Sequence, residues 1–261
     1  MAFSRYAAAP PVDFVSAFAA FAADFASTVR SCDLRERVPA CPRWSTYDLA
    51  VHLGNVHGWA ATIVETGSST PTQNDEPASR RPHDVSDWYV GKAGDLLAVL
   101  RDAHPDEACW TLSPGHRTKD FWQRRQAHET LVHLVDLHQA SGSTTEVPAE
   151  LAADGIAEVL DVFLPRMHAR GRRADLVAPL LLSTTDTGDT WLLTPQRRDA
   201  PPGARRVSGT DLVDGGTDLV TAPAADLMLL LWKRLPADTP GVTLDGDRAR
   251  LLRFLGSPLT P

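Results

Sequence analysis

The sequence predicts an α+β protein in two parts: a helical bundle over residues 1–170 and a smaller α+β domain over residues 171–261. Up to about residue 168 the apolar residues recur at spacings of three and four, the period of an amphipathic helix. Beyond "ARGRRADL" the texture changes to short β-rich runs parted by turn residues. Length agrees, since 261 residues suit two domains of ordinary size better than one.

Phe14, Phe18, Phe21, Phe25 and Val29 mark one face of a first helix. In "CPRWSTYDLAVHLGNVHGWAATIVETG" Ser45 and Asp48 have the spacing of a capping box, and Leu49, Leu53, Val56, Ala60 and Ile63 continue as an apolar stripe to Gly67. "SSTPTQNDEPASRRPHD" reads as a loop before a third helix, whose apolar residues are Trp88, Val90, Leu96, Leu97 and Leu100. A fourth helix runs from about Lys119 to Ala140 and is closed by Gly142; a fifth, over about 149–168, completes or bridges the bundle. In the second part "LVAPLLLSTTDTGDTWLLTP" gives two strands around a Gly188-Asp189 turn and "TDLVTAP" another. "AADLMLLLWKRLP" and "DRARLLRFLG" read as two helices.

A net charge of -7 gives no global footprint for nucleic acid or an anionic membrane. No window offers about 18 uncharged apolar residues, which argues against a transmembrane helix. Asp13 and Asp24 interrupt the N-terminal apolar stretch, so no signal peptide is read there. Cys32, Cys41 and Cys109 are odd in number and scattered, which argues against a disulfide framework and a zinc finger and fits a reducing cytoplasm.

"RRQAHETLVHLVDLHQ", residues 124–139, gathers His128, Glu129, His133, Asp136 and His138. The metalloprotease pattern needs histidines four apart, whereas His128 and His133 are five apart, roughly 140° around a helix. Glu129 and His133 are four apart, within roughly 40° and about 6 Å of rise, so they share a face and can share an ion. A third ligand must come from a facing helix. His52 and His57 are both candidates, and spacing does not separate them.

"CPRWSTYDLAVHLGNVHGW" together with "RRQAHETLVHLVD" resembles the mycothiol-dependent maleylpyruvate isomerase family, within the DinB-like helical-bundle metalloenzymes. "VSGTDLVDGG", "LMLLLWKRLP" and "VTLDGDRARLLRFL" resemble its C-terminal, sterol-carrier-like domain. The resemblance implies that His52, Glu129 and His133 hold a metal, and it prefers His52 to His57. It implies zinc or another divalent ion, with mycothiol, the thiol that replaces glutathione in actinobacteria, as cosubstrate. The expected partners are then a small thiol and a small electrophile, with the chain a monomer or homodimer. The thiol would be used for S-transfer or for thiol-assisted cis-trans isomerisation. The alternatives are a non-catalytic metal-containing binding protein and a thiol-exchange enzyme of specialised metabolism on the same scaffold. After the last ligand histidine the family often carries a basic residue, where this chain has Leu134; the departure bears on substrate.

Asp136, three residues after His133, is read either as a partner that orients a ligand or as a surface aspartate. The resemblance places Arg234 toward the cleft, where its guanidinium would grip a carboxylate of substrate or thiol; the other reading is a helix C-terminal cation. Trp44, Trp59 and Trp122 either wall the pocket or fill the core, and Trp59 is the one assigned to the cosubstrate.

Overall fold

A computed structural model describes residues 12–197, 200–207 and 216–261. The start of the N-terminal stretch read for a signal peptide, and most of "VSGTDLVDGG", lie outside the described residues.

The bundle consists of α1 (Phe14–Ser31), α2 (Thr46–Thr66), α3 (Pro82–Asp102) and α4 (Asp120–Ser141). Asp13 caps α1 by accepting from the Ser16 N–H. The expected capping box of Ser45 and Asp48 opens α2, and Gly67, in the left-handed region at φ 70°, ends it. α3 starts at Pro82, inside the segment read as loop, because a proline at the first helical position gives up an N–H that has no intrahelical partner there. Its buried stripe is Val85, Tyr89, Ala93, Leu96 and Leu100. Val90, one of the apolar residues read on this helix, is 50% exposed, since it follows the buried Tyr89 by about 100° of helix rotation.

α1 packs on α3 and α4, and α2 packs on the same pair. The approach of α2 to α3 depends on Gly54: a Cβ there would stand 2.3 Å from the Trp88 ring. Gly54→Ala is therefore expected to destabilise the protein by about 1–3 kcal/mol through overpacking, despite the better helix propensity of alanine. A lower urea midpoint at unchanged slope would show it.

α4 lies between two cores. Trp122, Leu134 and Leu137 enter the bundle core with Phe18, Phe25, Leu49 and Leu53. Leu131, Val132 and Val135 enter a second core built on the C-terminal half. Hence almost every residue from Phe121 to His138 is buried, polar ones included. The helix read as continuous over 149–168 comprises α5 (Ala149–Glu158), a π-helical turn over Val159–Phe163 and α6 (Leu164–Ala169).

The second core is completed by α7 (Ala224–Leu231), α8 (Arg248–Gly256) and a five-stranded mixed sheet. β1 (Leu180–Thr184) and β2 (Thr190–Thr194) form the hairpin expected around Gly188, and β1 pairs in parallel with β4 (Asp218–Ala222). β3 (Gly203–Arg206) and β5 (Thr243–Asp245) are antiparallel edge strands that no sequence signal announced, because "GARR" and "TLD" lack an apolar run.

α7 ends in a Schellman turn: Lys233 N–H donates to Leu230 O and Arg234 N–H to Leu229 O. Lys233 holds φ 61° at the position where glycine is usual. The turn reverses the chain so that Arg234 points back to α4. Among the described residues no helix is long and apolar enough to cross a membrane, and the three cysteines are free thiols.

Candidate metal centre

His52 from the second turn of α2 meets Glu129 and His133 from the middle of α4, and one ligand atom of each lies within 4.8 Å of the others. His133 Nε2 stands 3.3 Å and His52 Nε2 3.9 Å from Glu129 Oε1. Donors bound at roughly 2.0–2.1 Å to a tetrahedral ion lie about 3.3 Å apart, so two imidazoles and one carboxylate of this spread fit a single divalent ion. Trp44 covers His52 with ring centroids 4.6 Å apart.

Each α4 donor is fixed from behind. His133 Nδ1 donates to Asp136 Oδ2 at 2.9 Å, since a carboxylate only accepts, and Nε2 faces Glu129, protonated in the metal-free site and free to offer its lone pair once that proton is lost. Arg234 grips Asp136 with two parallel bonds, Nε to Oδ1 at 2.9 Å and Nη2 to Oδ2 at 2.8 Å. Glu129 Oε2 accepts from Arg125 Nη2 at 2.8 Å. The buried Arg125 also pairs with Glu158, and its guanidinium lies 4.9 Å from the Phe163 ring centre. Three carboxylates thus face two guanidiniums, and the remaining negative charge is met by the His133 proton in the metal-free protein and would be met by a cation that displaces it.

Burial opposes ionisation of Glu129, but Arg125 and the two imidazoles outweigh it and hold the carboxyl well below its usual range. Burial likewise opposes protonation of His133, yet Asp136 and Glu129 push it up to about 9. Burial of Asp136 is in turn outweighed by His133 and Arg234, which keep it charged.

His57 is not part of the cluster. It is fully buried, its Nε2 lies 3.1 Å from Thr130 Oγ1, and its ring meets Phe18 edge-on at 5.2 Å. Burial drives its pKa down to about 3. Between that value and the unfolded value near 6.5 the unfolded chain binds a proton that the native state refuses, so stability falls as pH falls through this window. His57→Phe is expected to flatten the stability-pH slope there by up to about 1.4 kcal/mol per pH unit, read from urea melts at several pH values.

His128 faces away from the cluster and bonds Asp154 Oδ1 at 2.7 Å. Asp136 is wholly buried behind His133 and not a surface aspartate, and it reaches the cluster through that ring. Arg234 comes to the site as expected, but its Nε and Nη2 are taken by Asp136 and its Nη1 by Trp232 O. A guanidinium free to grip an incoming carboxylate is therefore not what the structure shows.

Trp122 belongs to the core, whereas Trp44 and Trp59 line a cavity of about 610 Å³ beside His52, together with Val51, Val56, Glu76 and Arg80. Leu134, at the position of the departure from the family pattern, is packed in the bundle core.

Arg125 and Glu158 were not singled out from the sequence. Arg125 had a signal, its position four residues before Glu129 on one helix face. Glu158 had none, because its partner is 33 residues away.

The family model described as the mycothiol maleylpyruvate isomerase N-terminal domain matches residues 15–138, and the model for the C-terminal domain of the same family matches residues 150–253. The fold is shared with a crystal structure of the mycothiol-dependent maleylpyruvate isomerase, at a TM-score of 0.59 and 15% identity over 89% of this chain and 91% of that one. A histidine-to-alanine mutant of the mycothiol-dependent maleylpyruvate isomerase gives a TM-score of 0.60 at the same identity and coverage. No curated protein matches the sequence. Both domain models match in order across most of the chain, which belongs to the mycothiol maleylpyruvate isomerase family.

Proposed function

We propose that this protein is a metal-dependent enzyme that uses mycothiol as a nucleophile toward a small electrophilic substrate, by S-transfer or by cis-trans isomerisation. The observation that carries this reading is the convergence of His52, Glu129 and His133 beside a cavity large enough for a small molecule. Two nitrogens and one oxygen leave positions open, as in catalytic rather than structural zinc sites, and zinc is the metal proposed. Such an ion lowers the pKa of a thiol that reaches it, so that the thiolate is available near neutral pH.

The residues of the chain supply the rest. Asp136 and Arg234 fix the His133 ring, Arg125 fixes Glu129, and Trp44 shields His52 from one side. The thiolate sulfur forms a bond to one alkene carbon of an unsaturated carbonyl compound, and the π electrons pass to the carbonyl oxygen. Rotation about the former double bond, return of those electrons and loss of the thiolate give the other geometric isomer. Transfer results when a proton or a leaving group ends the sequence instead.

The test is metal analysis of the purified protein, followed by assays with mycothiol and two substrates, maleylpyruvate and an alkylating electrophile. About one zinc per chain with chelator-sensitive isomerisation or S-conjugation is expected. Absence of bound metal after growth with added zinc would overturn the reading.

A further inference from the structure

We infer that Arg125 and Glu158 form a buried positioning pair that limits Glu129 to one donor oxygen at the metal centre. The inference rests on the metal-site reading and goes beyond it, since neither residue is among the three candidate ligands.

The geometry is specific. Glu129 Oε2 is held by Arg125 Nη2 at 2.8 Å, while Oε1 is the atom nearest to both imidazoles. Arg125 has no freedom to release it. Its side chain is 2% exposed, Nη1 is engaged by Glu158, and its guanidinium lies 4.9 Å from the Phe163 ring centre and 5.7 Å from that of Trp232. Glu158 is itself 1% exposed, its Oε2 accepts from Arg125 Nη1, and among the described residues its Oε1 has no hydrogen-bond partner, so Arg125 is the group that holds it.

A burial this complete is costly for the two charged groups of the pair, and a well-packed apolar replacement is often no less stable. Core stability alone therefore does not account for the pair; orientation of Glu129 does. A carboxylate free to turn can offer both oxygens to one ion and take up a coordination position that a thiol needs. With Oε2 occupied, Glu129 offers Oε1 alone.

α5 ends at Glu158, and the π-helical turn that follows delivers Phe163 onto the guanidinium. The pair is thus set by the helix that packs on the C-terminal half, not by α4 alone.

The experiment uses the whole chain reconstituted with cobalt(II), whose visible absorption is intense when four-coordinate and weak at higher coordination. Arg125→Met combined with Glu158→Met removes both charges and keeps the volume; Glu158→Gln is the milder variant, and circular dichroism checks both folds. The wild type is expected to give the intense spectrum. The double variant is expected to bind cobalt with lower intensity and roughly 10- to 100-fold weaker affinity, the usual effect of losing a partner behind a ligand. Glu158→Gln is expected to fall between them.

A folded variant with the wild-type spectrum and affinity would overturn the inference while leaving the metal site in place. If the double variant does not fold, Glu158→Gln decides by the same two readouts. A wild type that binds no cobalt or zinc would overturn both the inference and the reading beneath it.

Discussion

Glu129→Ala should abolish metal retention while leaving the bundle folded. The residue supplies the oxygen that lies 3.3 Å from His133 Nε2 and 3.9 Å from His52 Nε2, and without it two imidazoles remain. Loss of one donor from three is expected to weaken binding by more than the roughly 10- to 100-fold typical of losing a supporting partner. Elemental analysis should change from about one metal per chain to almost none, and thiol-dependent turnover should disappear with it. The fold is expected to survive because the Glu129 side chain is partly exposed and supplies no apolar packing; the substitution does free one donor of Arg125, whose pairing with Glu158 remains. A folded Glu129→Ala protein that kept its metal would remove this residue from the ligand set.

Arg234→Ala is expected to be the most destabilising single change near the site. Asp136 is fully buried, and the substitution leaves its charge with His133 as sole partner. Breaking a buried pair by removing one member costs about 3–5 kcal/mol. Urea denaturation of the metal-free protein should show a loss of that order. Replacing Asp136 by leucine and Arg234 by methionine together should recover most of the stability, because no charge is then stranded. It should not recover metal affinity, since His133 Nδ1 has lost its acceptor. Equal recovery of both would mean that the Asp136–Arg234 pair serves packing only.

The sequence was most informative where a local rule operates. The Ser45–Asp48 capping box, the Gly67 and Gly142 helix ends and the hairpin at Gly188 depend on neighbours within a few residues, and each is found where it was read. The pairing of Glu129 with His133 is legible for the same reason, as a four-residue spacing on one helix. His52 against His57 was not, because both rings reach α4, one toward Glu129 and the other toward Thr130, and only the docked helices decide which meets the ligand face; the family resemblance separated them.

Contacts across the chain left no local trace. Glu158 reaches Arg125 over 33 positions, and Arg234 reaches Asp136 over 98. The edge strands β3 and β5 are short and polar, so only pairing with β2 and β4 makes them strands.

α4 belongs to two cores, and this has a thermodynamic consequence. Asp136 is gripped by Arg234 from the end of α7, and the Arg125 that holds Glu129 is anchored by Glu158 and capped by Trp232, also from outside the bundle. An ion bound by the two α4 donors would therefore favour the docked arrangement of both halves over any partly open one. Calorimetry would register this as coupling: a single cooperative transition for the metal-loaded protein, separating toward two when the metal is chelated.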